Sequence, residues 1–176
     1  MASPIRHQLS QLLGAYGYNL YDRKNRARSD DLLVREQAAS ALADAAGAIA
    51  ALRTAYRRRF VPNPTREHPD PPPEHMAQLR ALAGLQDRLA SLETRIRSMP
   101  VPTQDAVWER FRRERTLLDE LLTHDYNLIA PCQDLRERVK GVKVEEWGDS
   151  TAGELASALE GVEQSVRARS IFLEVS

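Results

Sequence analysis

The stretch Leu82-Ala-Gly-Leu-Gln-Asp-Arg-Leu-Ala-Ser-Leu-Glu-Thr-Arg-Ile-Arg-Ser-Met99 decides the fold class. Leu82, Leu85, Leu89, Leu92, Ile96 and Met99 follow one another at steps of 3-4-3-4-3. That spacing lines up large apolar side chains along one narrow seam of a helix, as knobs-into-holes packing requires. A seam of this kind cannot stay in water, so it must pack against another helix of this chain or of a second copy.

Upstream, residues 61–73 hold six prolines in thirteen positions, which rules out helix and interior strand. We read this as an extended connector joining two antiparallel helices. Before it, a long helix is predicted from about Asp30 to Phe60, with Ser29 as N-cap and Asp30 and Asp31 at the positive end of the helix dipole. Arg57, Arg58 and Arg59 suit its negative end, and its seam is Leu42, Ile49 and Tyr56 with Ala45 and Leu52 between. A shorter amphipathic segment, Ile5 to Leu20, precedes it, weakened by ~1 kcal/mol at each of Gly14 and Gly17.

Downstream, Pro100-Val101-Pro102 stops the heptad helix, and Thr103 is placed to cap a fourth helix running to about Ala130. Two stripes, Val107-Phe111-Leu118-Leu121-Leu128 and Trp108-Leu122-Ile129, mark that helix as central, in contact with two neighbours. Pro131 is expected to kink or restart it, with a short helix ending near Lys140. Residues 141–150 read as an irregular connector. Thr151-x-x-Glu154 reads as a capping box opening a last helix with Leu155, Leu159, Val162 and Val166 on one face. The expectation is one all-α domain over residues 1–176. It is an up-down bundle of long antiparallel helices, a coiled-coil-like hairpin with flanking helices packed on it.

Composition agrees. Ala, Glu, Lys, Leu and Arg make up 84 of 176 residues, close to the half share of long-helix proteins. Leu, Ile, Val and Phe total 40, enough for a core but a thin one. Thin cores with several stripes to bury invite self-association, so a homodimer is expected. Formal charge is zero overall but uneven, with ten basic against five acidic residues in 1–60 and ten against fifteen in 101–176. Zero net charge argues against a dedicated nucleic-acid binder. The N-terminal residues lack a signal-peptide pattern, and the most apolar run, Ala38 to Leu52, is too short and weakly apolar to span a bilayer. A cytoplasmic location is expected.

The chemical candidates are few. No Gly-rich phosphate loop, His-Glu-x-x-His motif or nucleophile elbow is present, so no catalytic, cofactor-binding or metal residues are assigned and no cofactor is expected. Glu120 and His124 share a helix face beside Asp119 and Asp125, which would suit a metal only with a ligand from another helix. Cys132, the single cysteine, could be a helix N-terminal thiol with a lowered pKa; a small buried apolar residue is the commoner role. Two basic clusters, Arg23-Lys24-x-Arg26-x-Arg28 and Arg57-Arg58-Arg59, could meet an anionic headgroup or RNA, with Tyr16, Tyr18 and Tyr21 beside the first. Arg110, Arg112, Arg113 and Arg115 alternate with Glu109 and Glu114 and read as an ion-paired face.

These observations favour a non-catalytic assembly or adaptor protein that binds a protein partner or itself. A binder of a membrane surface or nucleic acid through Arg23–Arg28 and Arg57–Arg59 is the alternative. A metal-binding or enzymatic bundle around Glu120 and His124 is the third.

Overall fold

The computed structural model describes residues 4–14, 20–22, 27–63, 66 and 70–175. The described residues are all-α, with six helices and no strand: α1 (Pro4–Leu12), α2 (Ala27–Phe60), α3 (Pro73–Arg97), α4 (Asp105–Arg113), α5 (Arg115–Gly141) and α6 (Asp149–Val175). None is long and apolar enough to cross a membrane.

The heptad seam behaves as its spacing requires. Leu82, Leu85, Leu89, Leu92, Ile96 and Met99 are all buried, and α3 packs on α2 and α6. In turn α2 packs on α5, and α5 on α6, so the four long helices close a ring in the order α2, α3, α6, α5. Helix direction follows from the cross-helix pairs. Glu36 meets Arg97 and Tyr56 meets His75, so α2 and α3 are antiparallel. Asp44 meets Lys140 and Tyr21 reaches Asp125 at the start of α2, while Gln78 meets Asp149, Arg88 meets Glu163 and Met99 meets Ser170. Neighbours α2 and α5 therefore run in the same direction, as do α3 and α6. The two hairpins alternate in direction, but they lie side by side rather than forming a ring of wholly antiparallel neighbours. The segment from α3 to α5 thus crosses the bundle end diagonally, and α4 lies in that crossing.

Several expected boundaries are corrected. The first helix ends at Leu12 rather than Leu20. Gly14 takes a positive φ of 63° and its N–H bonds the Gln11 carbonyl, which terminates the helix in the way glycine permits. Tyr16, Tyr18, Gly17 and the remainder of 15–19 lie outside the described residues. Helix α2 starts at Ala27, so Ser29 is not its cap; Asp30 lies in its first turn as the dipole reading has it, Asp31 lies just beyond, and both are buried. The expected fourth helix is two helices. The chain is extended at Glu114 (φ −99°, ψ 99°), because Trp108 and Phe111 must turn across the bundle end while Leu118 onward follows the seam. Gln104 rather than Thr103 precedes α4. Helix α5 continues through Pro131, where buried Leu128, Ile129, Cys132 and Leu135 supply the packing that offsets the missing backbone donor. Helix α6 begins at Asp149, two residues before the expected capping box. The Thr151 hydroxyl donates to the Glu146 carbonyl, and Ser150 is the residue that bonds Glu154.

The stripes of the long helices are buried within one chain. Leu42, Ile49, Leu52 and Tyr56 of α2 are covered, as are Leu155, Leu159, Val162 and Val166 of α6 and Leu118, Leu121, Leu122, Leu128 and Ile129 of α5, while Val107 of α4 is half-buried.

Candidate functional site

Helix geometry explains the charged cleft at one end of the molecule. Arg53, Arg57 and Arg58 project from the last two turns of α2, and Arg80 faces them from α3, which returns antiparallel beside it. With Thr54, Val61, Pro62, Asn63, Leu79 and Ala83 they line an open cleft of about 880 Å³. That size falls within the range of small-molecule sites, roughly 300–1,000 Å³. Among the described residues no Asp or Glu lines it, and none gives any of the four guanidiniums an ion-pair or hydrogen-bond partner. Arg59, next in sequence, points elsewhere and pairs with Glu145 at 3.2 Å.

A dipole argument covers only part of this arrangement. Cations in the last turn of a helix offset its negative end, which accounts for Arg57 and Arg58. The effect fades beyond that turn, so it does not account for Arg53, and Arg80 lies inside α3. Arg53 also stands one turn above Arg57, where like charges destabilise a helix by about 0.2–0.5 kcal/mol. The cluster is a local electrostatic cost that an anion would relieve.

The opposite end, about 39 Å away along α2 from Asp31 to Arg57 at 1.5 Å per residue, is closed by buried charge. Arg169 of α6 donates Nε to Asp125 Oδ1 at 2.8 Å and Nη2 to Asp31 Oδ1 at 2.7 Å. Arg35 lies 3.0 Å from Asp31 Oδ2 and donates Nη1 to the Met99 carbonyl at 2.6 Å, tying the end of α3 to α2. Tyr21 completes the group. Its hydroxyl donates to Asp125 Oδ2 and its backbone N–H to Asp30 Oδ2, each at 2.7 Å. Its φ of 62° is a left-handed conformation that costs of order 1–3 kcal/mol for a side chain of this kind. The two carboxylates hold it there, and Trp108 of α4 stacks on its ring at 5.9 Å.

Protonation states follow from this packing. Burial works to lower the Arg169 pKa, but Asp125, Tyr21 and Asp31 outweigh it and hold the guanidinium charged. Burial, reinforced by Asp125, raises the Tyr21 hydroxyl well above its ordinary value, so it stays a donor. Burial also pushes the Asp125 carboxyl up, against the pull of Arg169 and the Tyr21 hydroxyl. The cluster is sealed and fully inward. It orders the bundle end and offers no reacting atom to a solute.

The residues singled out in the sequence distribute unevenly. Of the first basic cluster, Arg23, Lys24 and Arg26 lie outside the described residues, and Arg28 is engaged by the Thr103 carbonyl and by Asp105 at 3.0 Å. Of the second, Arg57 and Arg58 enter the cleft. Arg110 pairs with Glu114 and Arg113 with Glu109, as their spacing predicts. Glu120 is exposed, whereas His124 packs on Phe172 at 4.6 Å and burial lowers its pKa. No group of three or more His, Cys, Asp and Glu that could hold a metal forms among the described residues. Cys132 is inside α5 rather than at a helix start, and burial pushes its thiol up to about 12, so the activated-thiol reading is corrected. Arg53 and Arg80 carry no local signal of their own; only the antiparallel return of α3 brings Arg80 to the others.

No protein-family model, curated protein or solved structure matches the chain.

Proposed function

We propose that this is a non-catalytic helical binding protein whose binding site is the arginine cleft between α2 and α3, and that its ligand is anionic. The observation that carries this is the set of four guanidiniums lining one cleft with no carboxylate among its described lining residues. Guanidinium forks recognise phosphate and carboxylate oxygens in pairs, and several forks around one recess select for charge density. The sealed core at the far end supports this division of labour, holding the helices in register without taking part in binding.

Thermal melting in pyrophosphate against chloride at matched ionic strength tests the proposal. A ligand of the folded state stabilises by about 2.7 kcal/mol at a hundredfold excess over Kd. A rise in Tm that shrinks with added salt supports the reading, and equal melting in both anions overturns it.

A second reading, assembly with another copy or a protein partner, is favoured by Leu32 and Ile171. They are 56% and 61% exposed and are the exposed large apolar side chains of the described residues. They follow Asp31 and Arg169, so both sit at the sealed end. Light scattering decides it: twice the 19.8 kDa of one chain, reverting to single mass in Leu32→Lys or Ile171→Lys, supports self-association through this end.

A further inference from the structure

We propose that the ligand of the arginine cleft is a small organic phosphate whose apolar portion seats in the pocket adjoining it. This rests on the reading of the cleft as an anion site and narrows its ligand. A second recess of about 260 Å³ opens beside the cleft and shares Arg57, Val61, Pro62, Asn63 and Leu79 with it. Its own additions are Pro71 and Met76, both apolar and half-buried. The two recesses therefore form one amphipathic trough. Arginines stand at one end, Val61, Pro71, Met76 and Leu79 at the other, and Arg57 belongs to both.

The chemistry of the walls selects the ligand. A carboxylate has two oxygens and is satisfied by one guanidinium fork, leaving the other arginines without a partner. A terminal phosphate carries about two charges and three acceptor oxygens, which suits forks arriving from two helices. At the apolar end only Asn63 and the shared Arg57 are polar, so it rewards carbon more than a second phosphate of a polyanion. A bilayer fits poorly for a geometric reason. Val61, Met76 and Leu79 are recessed, and the exposed Leu32 and Ile171 that could insert lie at the opposite end of the bundle.

The test compares 1-naphthyl phosphate with inorganic phosphate on the full chain, by fluorescence titration and competition. Naphthyl phosphate is expected to bind at least about tenfold more tightly, since burying a few apolar carbons supplies that much. Met76→Gln should remove most of that advantage while leaving inorganic phosphate binding unchanged, and Arg57→Ala should weaken both. Pro71→Ser is read in parallel, so the result does not hang on one position that affects folding. Equal affinity for the two phosphates, untouched by Met76→Gln and Pro71→Ser, overturns the inference and leaves the anion site standing. Binding of neither overturns both. Flotation with phosphatidylserine vesicles in the absence of naphthyl phosphate binding replaces the small ligand with a membrane surface and overturns the inference.

Discussion

Arg169 of α6 and Asp125 of α5 meet at 2.8 Å with no solvent exposure on either side chain. Asp31 of α2 joins them from the third side at 2.7 Å from the same guanidinium. Three helices are thereby fixed at one level by groups that tolerate no slip along their axes. Burying charge is costly, and such networks often contribute less stability than apolar replacements of equal volume. Their recognised use is to specify register, and here the register set is that of α2, α5 and α6, with Arg35 adding the end of α3.

Removing the shared cation should expose that cost. Arg169→Met leaves Asp125 buried without a cation and Asp31 with Arg35 alone, with an expected loss of ~3–5 kcal/mol in urea denaturation. Adding Asp125→Asn should restore much of the loss, since Asp31 retains Arg35. A single variant within about 1 kcal/mol of the parent would mean that the network does not order the bundle end.

Tyr21→Phe keeps the ring stacked on Trp108 and deletes one hydrogen bond to a buried carboxylate. The expected cost is about 1–3 kcal/mol, from the unsatisfied oxygen it leaves on Asp125. Equilibrium unfolding monitored by Trp fluorescence measures it.

Leu89 sits at the middle of the α3 seam and is fully buried. Leu89→Ala should lower the unfolding free energy by ~2–5 kcal/mol, the spread reflecting how far neighbours relax into the void. A loss under about 0.5 kcal/mol would place the seam in solvent.

His124 supplies the pH dependence that is simplest to isolate. Burial lowers its pKa in the folded state, so the unfolded chain binds the proton more readily. Stability is then undiminished above the ordinary histidine value, near 6.5, and is lost as pH falls through it. Denaturation at pH 7.5 and 5.5 should show a smaller drop for His124→Phe than for the parent. Equal drops would assign the acid sensitivity to other groups.

The seam of α3 was legible because its steps are uninterrupted and end at a proline. The charged layer was not read, because polarity hides it. Arg169 is the next step of the Leu155-Leu159-Val162-Val166 stripe, and Asp125 falls between Leu122 and Leu128. Asp31 and Arg35 extend the α2 seam back from Ala38 and Leu42. Reading only apolar residues as seam stops each stripe short and sends Asp31 to a helix dipole. The break at Glu114 had no glycine or proline to mark it; it arises because Trp108 and Phe111 have a tertiary surface to cover. The cleft was half visible. Arg57 and Arg58 stand out in sequence, while Arg53 and Arg80 acquire meaning only when antiparallel packing brings α3 alongside.

Arg80 therefore offers the most direct test of the account, because it reaches the cleft from a different helix. Calorimetric titration of pyrophosphate into the parent chain and Arg80→Ala should show binding that weakens by about tenfold or more in the variant, a fair loss for a charge-assisted contact. Without ligand the melting temperature should hold level or rise slightly, since Arg80 is exposed, forms no ion pair among the described residues and stands among like charges. Binding of equal strength in both proteins, or no heat from the parent chain, would contradict an anion site built between α2 and α3.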